Sequence, residues 1–242
     1  MPIPYVTGTS GILTARTATN RRPIIQDARY APGGLIVQGS KWIDPDNTSD
    51  TGTIRAGHVG HLESGKLVPS CFGPVASDYT SGGTTLTVSA NTALRIYTAL
   101  GSSGTFYILA NTAAPTTLAT VLAQLVTYSA INTGTGAITI TDLGANKEAD
   151  GSFLIGFQPV LLGGTGGLSG HSKQFAILDE PWGTRVVDND AVALDVDLAR
   201  AAIGGLIDPA QVPLWPSHAF VAEVLAHNLR QVNTGFMFDN FL

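Results

Sequence analysis

Residues 42–69 read WIDPDNTSDTGTIRAGHVGHLESGKLVP, and the alternation there of turn formers with brief β-prone runs decides the fold class. Asp44, Pro45, Asp46 and Asn47 form turns, because Asx side chains hydrogen-bond nearby backbone and proline fixes φ; a strand can resume only after Gly52. Thr53, Ile54 and Arg55 supply it. Ala56, Gly57 and His58 then lead into a run through Val59 and Leu62, and Glu63, Ser64 and Gly65 turn it into Lys66, Leu67, Val68 and Pro69. The pattern is a meander of short strands joined by tight turns.

The order of an acidic turn, then TGTIRAGHVG at 51–60, then ESGKLVPS at 63–70, resembles the head decoration (cement) proteins of tailed bacteriophages, the lambda type. The likeness covers the middle and last third of the chain and rests on loose motifs of turns and glycines. It implies a mainly β (α+β) fold with a glycine-rich, β-tulip-like body, set as a homotrimer on the outer shell and clamping neighbouring copies of the major capsid protein. It also implies an N-terminal arm that adds an extended segment to a sheet edge of that shell. On this reading the protein is a non-enzymatic virion component, made in the host cytoplasm and carried on the outer capsid surface.

Composition bounds the problem independently. With 242 residues, 44% of them hydrophobic, the chain has ample material for a buried core as one large β domain or two smaller ones. Only 13% of residues are charged, about half the usual share, and the mean hydropathy is positive at +0.20. A surface so poor in ions is expected to be covered by other subunits. Cys71 is the single cysteine, which excludes an intrachain disulfide and a four-cysteine metal site. No apolar run reaches the ~18 residues of a spanning helix, and MPIPYVTGTSG lacks the order of a signal peptide, so no membrane partner is expected. Residues 1–30 carry Arg16, Arg21, Arg22 and Arg29 against Asp27 alone, while the whole chain is at −5. A basic arm thus precedes an acidic body, whose field would repel phosphates, so the arm is expected to meet protein rather than nucleic acid.

Read in order, residues 1–33 form the arm: Pro2, Pro4, Pro23 and Pro32 with no sustained period, either disordered or ordering on a partner. The body comprises 34–75 and 151–242. Between them, 76–150 reads as an inserted small α/β subdomain. Residues 84–88, TTLTV, alternate as a strand; Ser89 N-caps a helix over 90–100 that stops at Gly101; GTFYIL at 104–109 is a strand. Residues 117–125 suit helix or strand equally, and 126–130 and 137–141 read as strands. The segments TTLTVS, GSSGTF and TGAITIT resemble pieces of longer phage head proteins, which implies an insertion that projects outward. After 151 the pattern predicts strands at 153–160, 174–178 and 184–187. The type of 189–202 is open, and Gly204, Gly205, Pro209, Pro213 and Pro216 suggest a long connecting turn. Ser217 is the predicted cap of a last helix carrying Phe220, Val221, Val224, Leu225, Leu229 and Val232 on one face. The tail FMFDNFL is too apolar for water and goes either to the core or to a subunit contact.

Motifs for chemistry fail on inspection. GHLESGK at 60–66 matches a P-loop until Leu67 replaces the Ser or Thr that would hold magnesium, and Pro69 opposes the helix that must follow. GGTGGLSG at 163–170 reads as a loop. Asp44, Asp46, Thr48 and Asp50 open like a calcium loop, but Ser49 and Arg55 occupy the glycine and bidentate-glutamate positions, which leaves a solvated Asx turn. His58 and His61 would point to opposite faces of a strand. There is no GxSxG elbow; Cys71 reads as apolar filler, and Asp179 with Glu180 as a turn. No catalytic, cofactor or metal residue is therefore assigned. The shell contacts expected are Arg16, Arg21, Arg22, Ile24 and Ile25 of the arm; the core or inter-subunit anchors are Trp42, Trp182, Trp215, Phe236 and Phe238. Two alternatives stand beside this. One is a phage tail, neck or fibre component or glycan-binding adhesin, using aromatics such as Tyr79, Tyr97, Phe106, Tyr107 and Tyr128; the other is a hydrolase assembled from His171 or His218 with Asp179.

Overall fold

The computed structural model describes residues 24–110, 115–161, 173–232 and 236–238. The chain lays down β1 (Ile24–Tyr30), β2 (Leu35–Val37), a 3-10 turn (Gly39–Lys41), β3 (Thr53–Ile54), β4 (Val59–Glu63), β5 (Lys66–Pro69) and β6 (Cys71–Pro74). Next come β7 (Thr85–Thr87), helix α1 (Ala90–Leu100), β8 (Gly104–Ala110), β9 (Leu122–Asn132) and β10 (Ala137–Ile140). The return path is β11 (Phe153–Ile155), β12 (Phe175–Leu178), β13 (Thr184–Arg185), β14 (Val196–Ala199), β15 (Ala201–Ile207), helix α2 (Ala219–Val232) and β16 (Phe236–Phe238). The fold is mainly β.

Among the described residues, the strands form three sheets. An eight-stranded sheet runs β1, β15, β12, β4, β5, β2, β14, with β16 beside β15; a six-stranded one runs β6, β11, β8, β9, β10, β7; β3 pairs with β13. Period-2 alternation fills both faces of each large sheet. On β12, Phe175 and Ile177 enter one core while Ala176 and Leu178 enter another; on β11, Phe153 and Ile155 join the core of Phe175 while Leu154 joins a third. The two large sheets therefore share a middle apolar layer, closed by Val221, Val224, Leu225 and Leu229 of α2. Ala93, Ile96 and Ala99 of α1 seal the far face of the six-stranded sheet, and Trp42 with Ile54, Leu67 and Val186 covers that of the eight-stranded one. Each fully buried Leu, Ile or Phe in these layers contributes about 1.5–3 kcal/mol.

Local signals place α1 where predicted: the Ser89 side chain accepts from Thr92 N–H at 3.0 Å, and Gly101, at φ +96°, donates to Tyr97 O at 2.8 Å. The ambiguous 117–125 resolves into a 3-10 turn (Leu118–Thr120) and then the first part of β9. Residues 189–202, left open, contain β14 and the start of β15.

Five expectations are corrected. The arm is shorter than 1–33, because β1 is an integral strand whose Ile24 lies opposite Ile207 and is buried in the middle layer. Burial against β15 stabilises that isoleucine more than exposure in an arm would. The insertion is not self-contained either: its sheet is completed by β6 and β11, with Phe153 opposite both Pro74 and Leu109. Gly204 and Gly205 are not a connecting turn but lie within β15, where Gly204 faces Arg29 on β1 and Gly205 faces Phe236 on β16. The strand predicted at 153–160 ends at Ile155. Helix α2 starts one residue late: Ala222 N–H donates to His218 O at 2.9 Å, so His218, not Ser217, holds the cap position.

Candidate functional site

The acidic turn that opens the meander is a hub of matched charges. Asp44, read from sequence as solvated, is fully buried. Its Oδ2 accepts from Arg55 Nε at 2.6 Å, its Oδ1 from Arg55 Nη2 at 2.9 Å, and His58 Nε2 stands 3.2 Å from Oδ2. A bidentate guanidinium explains how a carboxylate tolerates that environment. Burial pushes the Asp44 carboxyl up, but hydrogen bonds from His58 and Arg55, with their charges, outweigh it and hold the group below the usual carboxylate range. The hydrogen bond to Asp44 in turn raises Arg55.

Asp46 and Asp50 extend the hub outward. Asp46 pairs with Arg95 of α1 and accepts from Asn91 Nδ2 at 2.6 Å, which ties the turn to the start of α1. Arg95 is itself buried, and desolvation lowers its affinity for the proton; its Nε lacks a hydrogen-bond partner. Asp50 pairs with Arg185 and accepts from Thr53 Oγ1 at 2.7 Å and Gly52 N–H at 3.1 Å. Asn47 closes the loop through Nδ2 to Asp50 O at 2.7 Å and Thr53 O at 2.9 Å. Arginines thus take the carboxylates that a cation would need, and among the described residues no three His, Cys, Asp or Glu side chains converge as a metal site.

Beside the hub lies a cleft of about 350 Å³ bordered by Trp42, Asp50, Thr98, Arg185, Asp188 and Asn189. A smaller cleft of about 200 Å³ is lined by Asp150, Ser152 and His218, among others. His218 Nδ1 is buried there without a hydrogen-bond partner, but the Ser152 hydroxyl donates to Glu148 O and does not offer itself as a nucleophile. Asp179 does not line this cleft; it is buried, accepting from Tyr30 Oη at 2.6 Å with Arg200 Nε at 3.7 Å. The structure thus places His218 and Asp179 in separate settings, and His171 lies outside the described residues.

The surface is distinctive at one end of the eight-stranded sheet. Val192, Leu194 and Leu198, on and before β14, are exposed together with Ile36 of the adjoining β2, Leu198 to 74%. Sequence inspection missed this patch because 189–202 carries Asp among Val and Leu and fits either period. The signal was present: DVDL over 195–198 places acids between aliphatics on a strand that ends a sheet.

Of the sequence-derived anchors, Trp42 is buried, donating from Nε1 to Leu67 O at 2.9 Å. Trp215 is half-buried against the middle layer, and Trp182 is 52% exposed. Phe236 and Phe238 lie on β16, opposite Gly205 and Ile207. Ile25 lies on β1; Ile24, expected to touch the shell, is instead core. Arg16, Arg21 and Arg22 lie outside the described residues. His58 and His61 do diverge: His58 stacks edge-on to Trp42 at 6.5 Å, whereas His61 meets Phe157 and Phe175 in the middle layer. Compared with family models, characterised proteins and solved structures, the chain matches none.

Proposed function

We propose that the chain is a non-enzymatic structural protein of a tailed-phage virion, which binds the outer surface of the head as a trimer and stabilises the expanded shell by bridging major capsid subunits. The observation that carries this reading is the exposure of Ile36 of β2 and Leu198 of β14, with Val192 and Leu194 just before β14, on a protein with only 13% charged residues. A lone soluble chain gains nothing from holding such a strip in water, whereas a packed lattice buries it. An interface of about 1,000 Å² or more per copy, repeated around a shell, supplies avidity without any chemistry. Arg16, Arg21 and Arg22 are the part of the chain proposed to reach beyond its own body. The test is retention on expanded heads purified from the phage that encodes the protein. We expect removal of residues 1–22, which spares β1, and Leu198→Asp each to lower retention at least about tenfold. Equal retention of all three proteins would overturn the assignment.

The half-exposed Trp182 and the cleft beside Trp42 favour a second reading, a fibre or adhesin component that stacks a sugar. Calorimetry with host surface polysaccharide decides it: binding abolished by Trp182→Ala supports this reading, and no heat removes it.

A further inference from the structure

The eight-stranded sheet ends in β1 on one side and β14 on the other; just before β14, Leu194 N–H donates to Val186 O and Ala193 bridges Val187, so the edge left for another strand is β14 itself, Val196–Ala199. Residues 190–198 read DAVALDVDL, and Leu198 stands at φ +58°, a left-handed conformation that is an outlier for leucine. Its surroundings enforce it. Val196 faces Val37 and Ala199 faces Leu35, so β14 carries one residue more than β2 and bulges. Gly34, at φ +79°, approaches so closely that a Cβ there would lie 2.5 Å from the Leu198 carbonyl carbon. A leucine that is both in this conformation and 74% exposed points to something that covers it. Two aspartates interleave: Asp195, which pairs with Lys66, and Asp197, which is exposed. Two β14 strands side by side would oppose acid to acid, so this edge disfavours its own kind.

Residues 1–23 have the opposite character. They contain Ile3, Tyr5, Val6, Ile12 and Leu13 with Arg16, Arg21 and Arg22, and no Asp or Glu. They also lead directly into β1, at the far end of the sheet. Six strand spacings of about 4.8 Å, roughly 29 Å, separate β1 from β14. Twenty-three extended residues span up to about 75 Å, so reach is not limiting. In a head-to-tail row the β1 end of one copy meets the β14 end of the next, which gives the segment its shortest path to a neighbour's edge, and such heterologous contacts close into rings.

We propose that residues 1–23 of one copy add as an extended strand to the β14 edge of a neighbouring copy, with aliphatic side chains covering Leu198 and Ile36 and arginines facing Asp190 and Asp197. This rests on the reading that the protein works packed among copies of itself. Backbone hydrogen bonds supply affinity, and the charge pattern supplies the choice of partner.

A benzophenone amino acid placed at position 198 of the full-length chain tests it, in a mixture of isotopically heavy and light protein with cross-links mapped by mass spectrometry. The expected product joins position 198 to residues 1–23 of the other isotopic species. Its yield should fall about fivefold with Arg21→Glu and Arg22→Glu together, and fall again as salt rises from about 0.05 to 0.5 M. Cross-links confined to 24–242, cross-links within one chain, a yield indifferent to the arginines, or no cross-link would each overturn the proposal. Failed retention on phage heads with these cross-links intact would remove the phage reading alone.

Discussion

Asp44 shows how one residue decides between a loop and a joint. Its carboxylate is buried with Arg55 and His58 on it, so Asp44→Asn strips a partly buried guanidinium of its bidentate partner and leaves it only Asp46, 4.0 Å from Nη2. The expected loss is about 3–5 kcal/mol by denaturant unfolding. Asp46→Asn, at a partly exposed position, should cost less. The pH dependence follows in sign: with its folded value depressed, Asp44 adds stability that is complete above the ordinary aspartate value of about 4 and is lost as pH falls through the lower folded value. A thermal scan from pH 7 to 2 should show that acid limb in the wild type and a flatter one in Asp44→Asn. Asn228 plays a similar part in the middle layer, donating to Val160 O at 2.8 Å and Val224 O at 2.7 Å and accepting from Val160 N–H at 2.7 Å. Asn228→Leu strands those groups and should cost about 1–3 kcal/mol for each left unpaired. Burial pushes the Cys71 thiol up to about 12, so a disulfide reagent should modify it only at the rate of unfolding. Fast labelling of the native protein would contradict its place in the core.

Elements divide by how much of their cause is local. Helix α1 was legible because Ser89, the apolar stripe and Gly101 are all adjacent in sequence; Ser89→Ala should cost about 1 kcal/mol. The meander at 51–69 was legible for the same reason, since its turns and strands alternate within a few residues. β1 and β15 were not, because their partners lie more than 170 residues apart and β15 carries the glycines that ordinarily mark a turn. The acidic turn was recognised as a turn, but its arginine partners are Arg95 and Arg185 as well as the nearby Arg55, and only Arg55 sits within the same motif. At β14 the strained leucine makes a prediction that runs against residue size. Leu198→Gly should raise the unfolding midpoint, by relief of part of the roughly 1–3 kcal/mol such a conformation costs, while weakening association. A lowered midpoint would show that Leu198 packs within its own chain.

At the scale of the molecule, layering follows from alternation: a strand with apolar residues on both faces can only sit between two cores, and β8, β11 and β12 each do so. The two outer cores are then joined by the turn through Asp46 and Arg95 as well as by the shared middle layer. Low surface charge leaves association as the expected collective behaviour. Sedimentation should show chains that self-associate as concentration rises and separate in Leu198→Asp with the thermal midpoint unmoved; an unchanged distribution would place the contact elsewhere. The pairing of β1 with β15 also sets an order of events during synthesis. A ribosome must finish residue 207 before β1 has its partner, so the nascent chain carries an unmated strand with Ile24 until β15 is made. Synthesis as far as β15, rather than emergence of β1 itself, is then the earliest moment at which that sheet can close, and a chaperone that shields exposed strands would have its longest work on this stretch.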